Sequence, residues 1–118
     1  MLSEAASMGV DLAVFPECSL TGYCYESAEE AGQVAESVPG PSVEKFAALC
    51  KEKRVHALFG LIERNGEKLH NTTVLVGPDG MLSRYRKSHI PSLGLDRFVA
   101  PGTDAYEPVQ TGVGKLGL

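Results

Sequence analysis

No apolar run in these 118 residues approaches the roughly 20 residues that a membrane-spanning helix requires, so no membrane partner is expected. Positive charge is scarce. Eleven Lys and Arg stand against 15 Asp and Glu, a net charge of -4, which argues against nucleic acid as the main partner. Cysteine is sparse as well. Cys18, Cys24 and Cys50 make an odd number with no framework spacing, the pattern of reduced thiols in a cytoplasmic protein. No C-x-x-C or H-x-x-x-H pair exists, and His56, His70 and His89 are scattered, so zinc is not expected. A signal-peptide pattern is missing too, since Met1 leads directly into a helix-like segment. There is no internal repeat and no low-complexity tract.

What is present suits one small domain able to bury a core without staples. Hydrophobic residues make up 43% and charged residues 22%, ordinary for a globular chain. Leu2 to Met8 reads as the end of a helix that Gly9 terminates. Asp11 to Phe15 is a short buried strand, stopped by Pro16. Ser27 to Ala35 is helical. After Pro39-Gly40-Pro41, Ser42 is placed to cap a helix whose stripe is Val43, Phe46, Ala47, Leu49 and Cys50. Val55 to Ile62 is a second buried strand, and Asn65-Gly66 turns it into a hairpin with Asn71 to Val76. Pro78-Asp79-Gly80 is another turn, leading to a strand over Met81 to Arg86. Ser88 to Gly102 is a long loop of the kind that often carries function. Short strands at Tyr106 to Gln110 and Lys115 to Leu118 follow. Helices alternating with strands, then hairpins, predict a mixed α/β sheet with helices covering one face.

Two residues have the chemistry for a site. Glu17 follows a buried strand and a proline; partial burial raises a carboxylate's pKa and suits it to act as a general base. Its plain alternative is a loop-capping acid. Lys87 ends the strand Met81 to Arg86, where an ammonium can stabilise an oxyanion. Its alternative is membership of a solvated basic cluster. Alternation puts Tyr85 and Lys87 on one face and sends Arg84 and Arg86 to the other, toward water or a partner. Tyr23 and Tyr25 either line a pocket over Glu17 or pack. Glu63 either orients Lys87 or is a turn residue. Asp96, beside Arg97 in the long loop, can hold a substrate or the lysine.

No cysteine qualifies as a nucleophile. Glu17 beside Cys18 disfavours the thiolate, Cys50 falls on the helix stripe, and nothing supports Cys24. Gly112-x-Gly114-Lys115 is not a phosphate loop: that motif needs Gly at Val109 and Ser or Thr at Leu116.

Together these blocks resemble the carbon–nitrogen hydrolase family, the nitrilase superfamily. Asp11-Leu12-x-Val14-Phe15-Pro16-Glu17-x-x-Leu20-Thr21-Gly22-Tyr23 is similar to its first catalytic block. Phe59-Gly60-Leu61-Ile62-Glu63-Arg64, Asn71-Thr72 and Gly77-Pro78-Asp79-Gly80 are similar to its middle section. Tyr85-Arg86-Lys87-Ser88-His89-Ile90-Pro91 resembles its lysine block. Phe98-x-x-Pro101-Gly102-Thr103 and Thr111-x-x-Gly114-Lys115-Leu116-Gly117-Leu118 resemble the approach to its cysteine strand.

The resemblance implies part of an αββα sandwich and a Glu-Lys-Cys site, with Glu17 as base and Lys87 as the oxyanion-stabilising lysine. It implies hydrolysis of small-molecule amides, N-carbamoyl compounds or nitriles with no metal or organic cofactor, in a dimer or larger homo-oligomer. Tyr23 and Asp96 are the substrate-binding candidates, and Asp96 lies near a second family glutamate. The run from Ser88 to Phe98 looks more like the amidase branches. On the same resemblance residues 1–118 are one partial domain, truncated at both ends, with the family's cysteine a few residues beyond Leu118. This chain alone is then expected to be inactive. The alternative is a non-catalytic assembly or binding module; a basic-patch binder using Arg84, Arg86 and Lys87 sits poorly with the charge. All of it requires the tips of Glu17 and Lys87 to converge at one cavity.

Overall fold

A computed structural model describes residues 1–118. Helix α1 (Leu2–Ser7) leads into strand β1 (Leu12–Val14). Helices α2 (Ala28–Gln33) and α3 (Pro41–Lys53) follow. Then come β2 (His56–Asn65), β3 (Lys68–Gly77) and β4 (Gly80–Arg86). The long loop contains one 3-10 turn, Gly94–Arg97. Strands β5 (Val109–Thr111) and β6 (Gly114–Leu116) close the chain as a separate hairpin. The main sheet has the order β1-β2-β3-β4, with β1 parallel to β2 and the other pairs antiparallel. The expected mixed α/β sheet is present.

Val55 to Ile62 is buried because both faces of β2 are covered, whereas Asp11 to Phe15 is only partly so: Ala13 is buried and Val14 stays exposed at the sheet edge. On one face Ala57, Phe59, Leu61, Val74 and Val76 pack with Val43 and Cys50 of α3 and Leu2 of α1. Phe46 stacks on Phe59 at 4.1 Å between ring centres and meets Phe15 edge-on at 5.7 Å. A second cluster gathers Ile62, Leu69, Ala31 of α2, Cys18, Tyr25 and Leu95. It ties the loops that carry the candidate site to the opposite side of β2.

Three local expectations change. Ser42 is not the helix cap. Gly40 holds that position and Pro41 takes the first helical turn, where its missing N–H costs nothing. The Glu36 carboxylate accepts from the Ser42 N–H (2.8 Å) and hydroxyl (2.6 Å), a cap supplied from outside the helix. The β2–β3 turn is Gly66-Glu67 rather than Asn65-Gly66, because Asn65 still pairs with Lys68. Gly66, at φ 61, supplies the left-handed residue the tight turn needs.

The third change concerns Glu63. It neither ends a strand nor touches Lys87: it lies inside β2, 2% exposed, on the α3 face. There it collects Arg86 (Nε 2.8 Å, Nη2 2.6 Å), Arg84 Nη1 (2.5 Å) and Thr72 Oγ1 (2.8 Å). So the two arginines do not face water or a partner. They neutralise a buried carboxylate. Burial works against the Glu63 charge, but hydrogen bonds from Arg86 and Thr72 and the nearby Arg84 hold its pKa below the usual carboxylate value.

This network also fixes which way β4 points. A bulge leaves Leu82 unpaired between the pairs Leu75↔Ser83 and Val76↔Met81. Directly opposed residues share a face, so the extra residue reverses the alternation. Without it, Lys87 would share the α3 face with Met81; with it, Arg84 and Arg86 turn to Glu63, and Tyr85 and Lys87 turn the other way. Replacing Glu63 by Gln strands two arginine charges and is expected to destabilise the fold by about 2–4 kcal/mol in urea unfolding. A loss below about 0.5 kcal/mol would show the network to be a solvated surface pair.

Candidate active site

Glu17 and Lys87 follow strands at opposite edges of the sheet, so the chain between β1 and α2 must cross β2 for them to meet. Gly60 lets it. A side-chain carbon at Gly60 would lie 2.5 Å from the Cys18 nitrogen and 3.2 Å from the Glu17 carbonyl carbon. The segment stays attached to the β2 edge through Phe15 N–H to Leu58 O (2.8 Å) and Leu20 N–H to Gly60 O (3.3 Å). Cys18 adopts φ 49, a left-handed conformation rare for cysteine. That turn sends its side chain inward while Glu17 lines the cavity.

Lys87 continues β4 by one bond, donating its N–H to Asn71 O (2.9 Å) and accepting at its own carbonyl from Gly102 N–H (2.8 Å). Gly102 is required for that approach, since a side-chain carbon there would stand 2.2 Å from Arg86 O. The loop between is pinned by Leu95 N–H to Tyr23 O (2.7 Å) and by buried Leu95. That anchor delivers Asp96, whose side chain is fully enclosed.

The tips expected to converge do so. Lys87 Nζ lies 2.8 Å from Glu17 Oε1 and 2.7 Å from Asp96 Oδ2. Asn71 Nδ2 reaches Glu17 Oε1 (2.6 Å) and Asp96 Oδ1 (3.0 Å). The Tyr23 hydroxyl sits 3.1 Å from Asp96 Oδ2 and 2.8 Å from Leu93 O. Glu17 is half-exposed and Lys87 one-third exposed, so both remain open to the cavity. That cavity holds about 300 Å³. Glu17, Asn71, Thr73 and Lys87 form its polar side, and Phe15, Pro16, Leu58, Tyr85 and Leu118 its apolar side. Tyr23 and Asp96 do not line it; Asp96 meets the lysine from behind, and Tyr23 bonds to Asp96.

The electrostatics follow from this arrangement. Burial disfavours the Lys87 charge, yet hydrogen bonds to Asp96 and Glu17 outweigh it and raise the lysine pKa above its ordinary value. Asp96 is buried too, but bonds from Asn71, Lys87 and Tyr23 hold its pKa below the usual range. Both groups are therefore charged at neutral pH. An ammonium has three hydrogens. Two are engaged here, and the third is free for an incoming oxygen.

None of the three thiols joins this pair as a nucleophile. Cys18 is 1% exposed, and burial, then the charges of Glu17 and Asp96, push its thiol up to about 12. Cys50 is in the α3 core, pushed up to about 11 by burial. Cys24 is exposed and does not line the cavity. No group of three or more His, Cys, Asp or Glu side chains is placed to hold a metal ion. A larger hollow of about 760 Å³ lies between α2 and the β2–β3 turn. Its arginines, Arg64 and Arg97, are engaged by the carbonyls of Gly32 and Tyr25.

Glu17, Lys87, Tyr23 and Asp96 stand out in the sequence as site candidates, whereas Asn71 and Gly60 have no role there. An Asn, poor in strand propensity, inside the predicted strand Asn71 to Val76, and a glycine inside the buried strand Val55 to Ile62, are the available signals.

Comparison with known proteins adds the family context. Residues 1–118 match the family model described as carbon–nitrogen hydrolase. The chain is 31% identical over 119 residues to a nitrilase of Pyrococcus abyssi, covering 100% of this chain. It is 31% identical over 127 residues to the omega-amidase NIT2 of Homo sapiens, covering 99% of this chain. The crystal structure of a carbon–nitrogen hydrolase from Helicobacter pylori G27 superposes with a TM-score of 0.85 at 27% identity over 98% of this chain. The chain spans 45% of the length of either relative and 42% of that structure.

Two measurements probe this geometry. Gly60→Ala forces Glu17 and Cys18 off β2, and thermal or urea unfolding is expected to show a loss of about 1–3 kcal/mol. Asp96 supplies the pH dependence. Its pKa is depressed on folding, so its contribution is complete above the unfolded value of about 4 and is lost as pH falls through the folded value. The stability gap between wild type and Asp96→Asn should therefore be widest near neutral pH and shrink in acid. A gap that stays constant down to pH ~3 contradicts the ion pair.

Proposed function

Since the chain belongs to the carbon–nitrogen hydrolase family, we propose that it carries the base and the lysine of a thiol-dependent hydrolase of non-peptide carbon–nitrogen bonds. The observation that supports this is the 2.8 Å contact between Lys87 Nζ and Glu17 Oε1 at the wall of an open cavity. The substrates are small amides, N-carbamoyl compounds or nitriles, with amides favoured by the run from Ser88 to Phe98.

In the amide reaction Glu17 takes the proton of a cysteine thiol, and the sulfur attacks the carbonyl carbon. The carbonyl electron pair moves to oxygen, where the free hydrogen of Lys87 meets the developing charge. As the tetrahedral species collapses, the carbon–nitrogen bond breaks. The leaving nitrogen collects the proton from Glu17 and departs as ammonia or an amine. Glu17 next takes a proton from water and the hydroxide adds to the thioester carbonyl; as the carbon–sulfur bond breaks, Glu17 returns that proton to the sulfur, leaving the acid and the free thiol. Asp96 holds Lys87 charged and Tyr23 holds Asp96. The resemblance puts the sulfur in the residues following Leu118.

Self-association also belongs to the proposal. The family resemblance implies a homo-oligomer. The three free cysteines suit the reducing conditions of the cytoplasm.

The 118 residues alone are expected to release no ammonia above background from a panel of short amides and nitriles. Substantial turnover would refute the Glu-Lys-Cys assignment. Reading the gene past Leu118 separates the alternatives: a cysteine followed by an acid supports the hydrolase, and a stop codon favours an assembly module. In a protein that includes that cysteine, Glu17→Gln and Lys87→Met should each lower kcat by about 10²–10⁴.

A further inference from the structure

Asn71 is a buried polar residue to which none of these steps gives a role. It is 4% exposed and lies in a strand whose neighbours on the same face include Leu69 and Leu75. A buried amide in such a place is costly unless its donors and acceptor are all used. Here they are. One Nδ2 hydrogen goes to Glu17 Oε1 and the other to Asp96 Oδ1, while Oδ1 accepts from the Cys18 thiol at 3.4 Å. A flipped amide would turn its oxygen on two carboxylates, so the neighbours fix its orientation.

Lys87 makes the complementary bridge between the same two carboxylates. The four bonds close a ring: Glu17 to Lys87, Lys87 to Asp96, Asp96 to Asn71, and Asn71 back to Glu17. Both bonds at Glu17 fall on Oε1; Oε2 takes neither. A carboxylate held by one oxygen has its other oxygen free for the cavity that Glu17 lines. The Asn71 carbonyl also receives the Lys87 N–H, so one residue sets the position of the acid and the lysine together.

We infer that Asn71 is a positioning residue: its amide ties Glu17 to Asp96 through Oε1 and reserves Oε2 for proton transfer. The consequence for turnover rests on the hydrolase reading above, whereas the bonding does not. The test is a carboxyl and side-chain amide NMR titration of the 118-residue chain. In the wild type, the two Asn71 Hδ2 resonances should move as Asp96 is protonated in acid. In Asn71→Ala, with Asn71→Ser as a second variant if Ala does not fold, the Asp96 midpoint should rise by about one pH unit, a tenfold weaker acid. A merely structural role lowers the melting temperature and leaves that midpoint within about 0.3 unit, which overturns the inference. Hδ2 resonances that ignore the carboxyl titration in the wild type overturn it as well. No turnover is measured, so failure here leaves the ammonia assay to judge the hydrolase reading.

Discussion

An ammonium held between two carboxylates organises this protein. Lys87 cannot sit at the edge of a buried sheet as a lone charge, and Asp96 cannot be enclosed without a cation against it. Each makes the other tolerable, and Asn71 supplies the neutral donors that complete both acids. Glu17 is the member left half-exposed. The cluster therefore has a sealed side, built from Asp96 and Tyr23, and an open side, where Glu17, Asn71 and Lys87 border the cavity.

A second charge cluster on the opposite face does the complementary structural work. Glu63 is enclosed by Arg84, Arg86 and Thr72 beneath α3. Because successive strand residues alternate faces, holding Arg84 and Arg86 on one side commits Tyr85 and Lys87 to the other. The bulge at Leu82 permits that phase, and the buried glutamate enforces it. The site lysine thus depends on ion pairs that never touch the cavity. Glycine acts in the same indirect way. Gly60 clears the path for Glu17 across β2, and Gly102 lets the loop close on the carbonyl of Lys87.

Much of this was legible in the sequence, for identifiable reasons. Runs such as Val55 to Ile62 contain too few polar residues to be anything but covered strands, and they are. The stripe from Val43 to Cys50 has helical spacing, and it packs on the sheet. Tyr85 and Lys87 share a face because alternation is local. What failed was what depends on distant partners. Ser42 is a local exception: Gly40 and Pro41 start the helix two residues earlier, and Glu36, six residues back, caps it. Arg84 and Arg86 looked solvated because the carboxylate that buries them lies more than 20 residues earlier in the chain.

Residue chemistry and local periodicity determined which segments are strands and helices, and that an acid, a lysine and a second acid stand at loop and strand ends. These properties are carried by neighbours in the chain, so the chain alone displays them. Tertiary structure decided the rest: that β1 and β4 bring Glu17 and Lys87 together across two intervening strands, that Asp96 faces the lysine rather than the cavity, and that Asn71 joins both acids. Such contacts link residues 9 to 70 positions apart, and their geometry is fixed by sheet register, a bulge and two glycine clearances. No local pattern encodes a distance of that kind, because it exists only once the strands are paired.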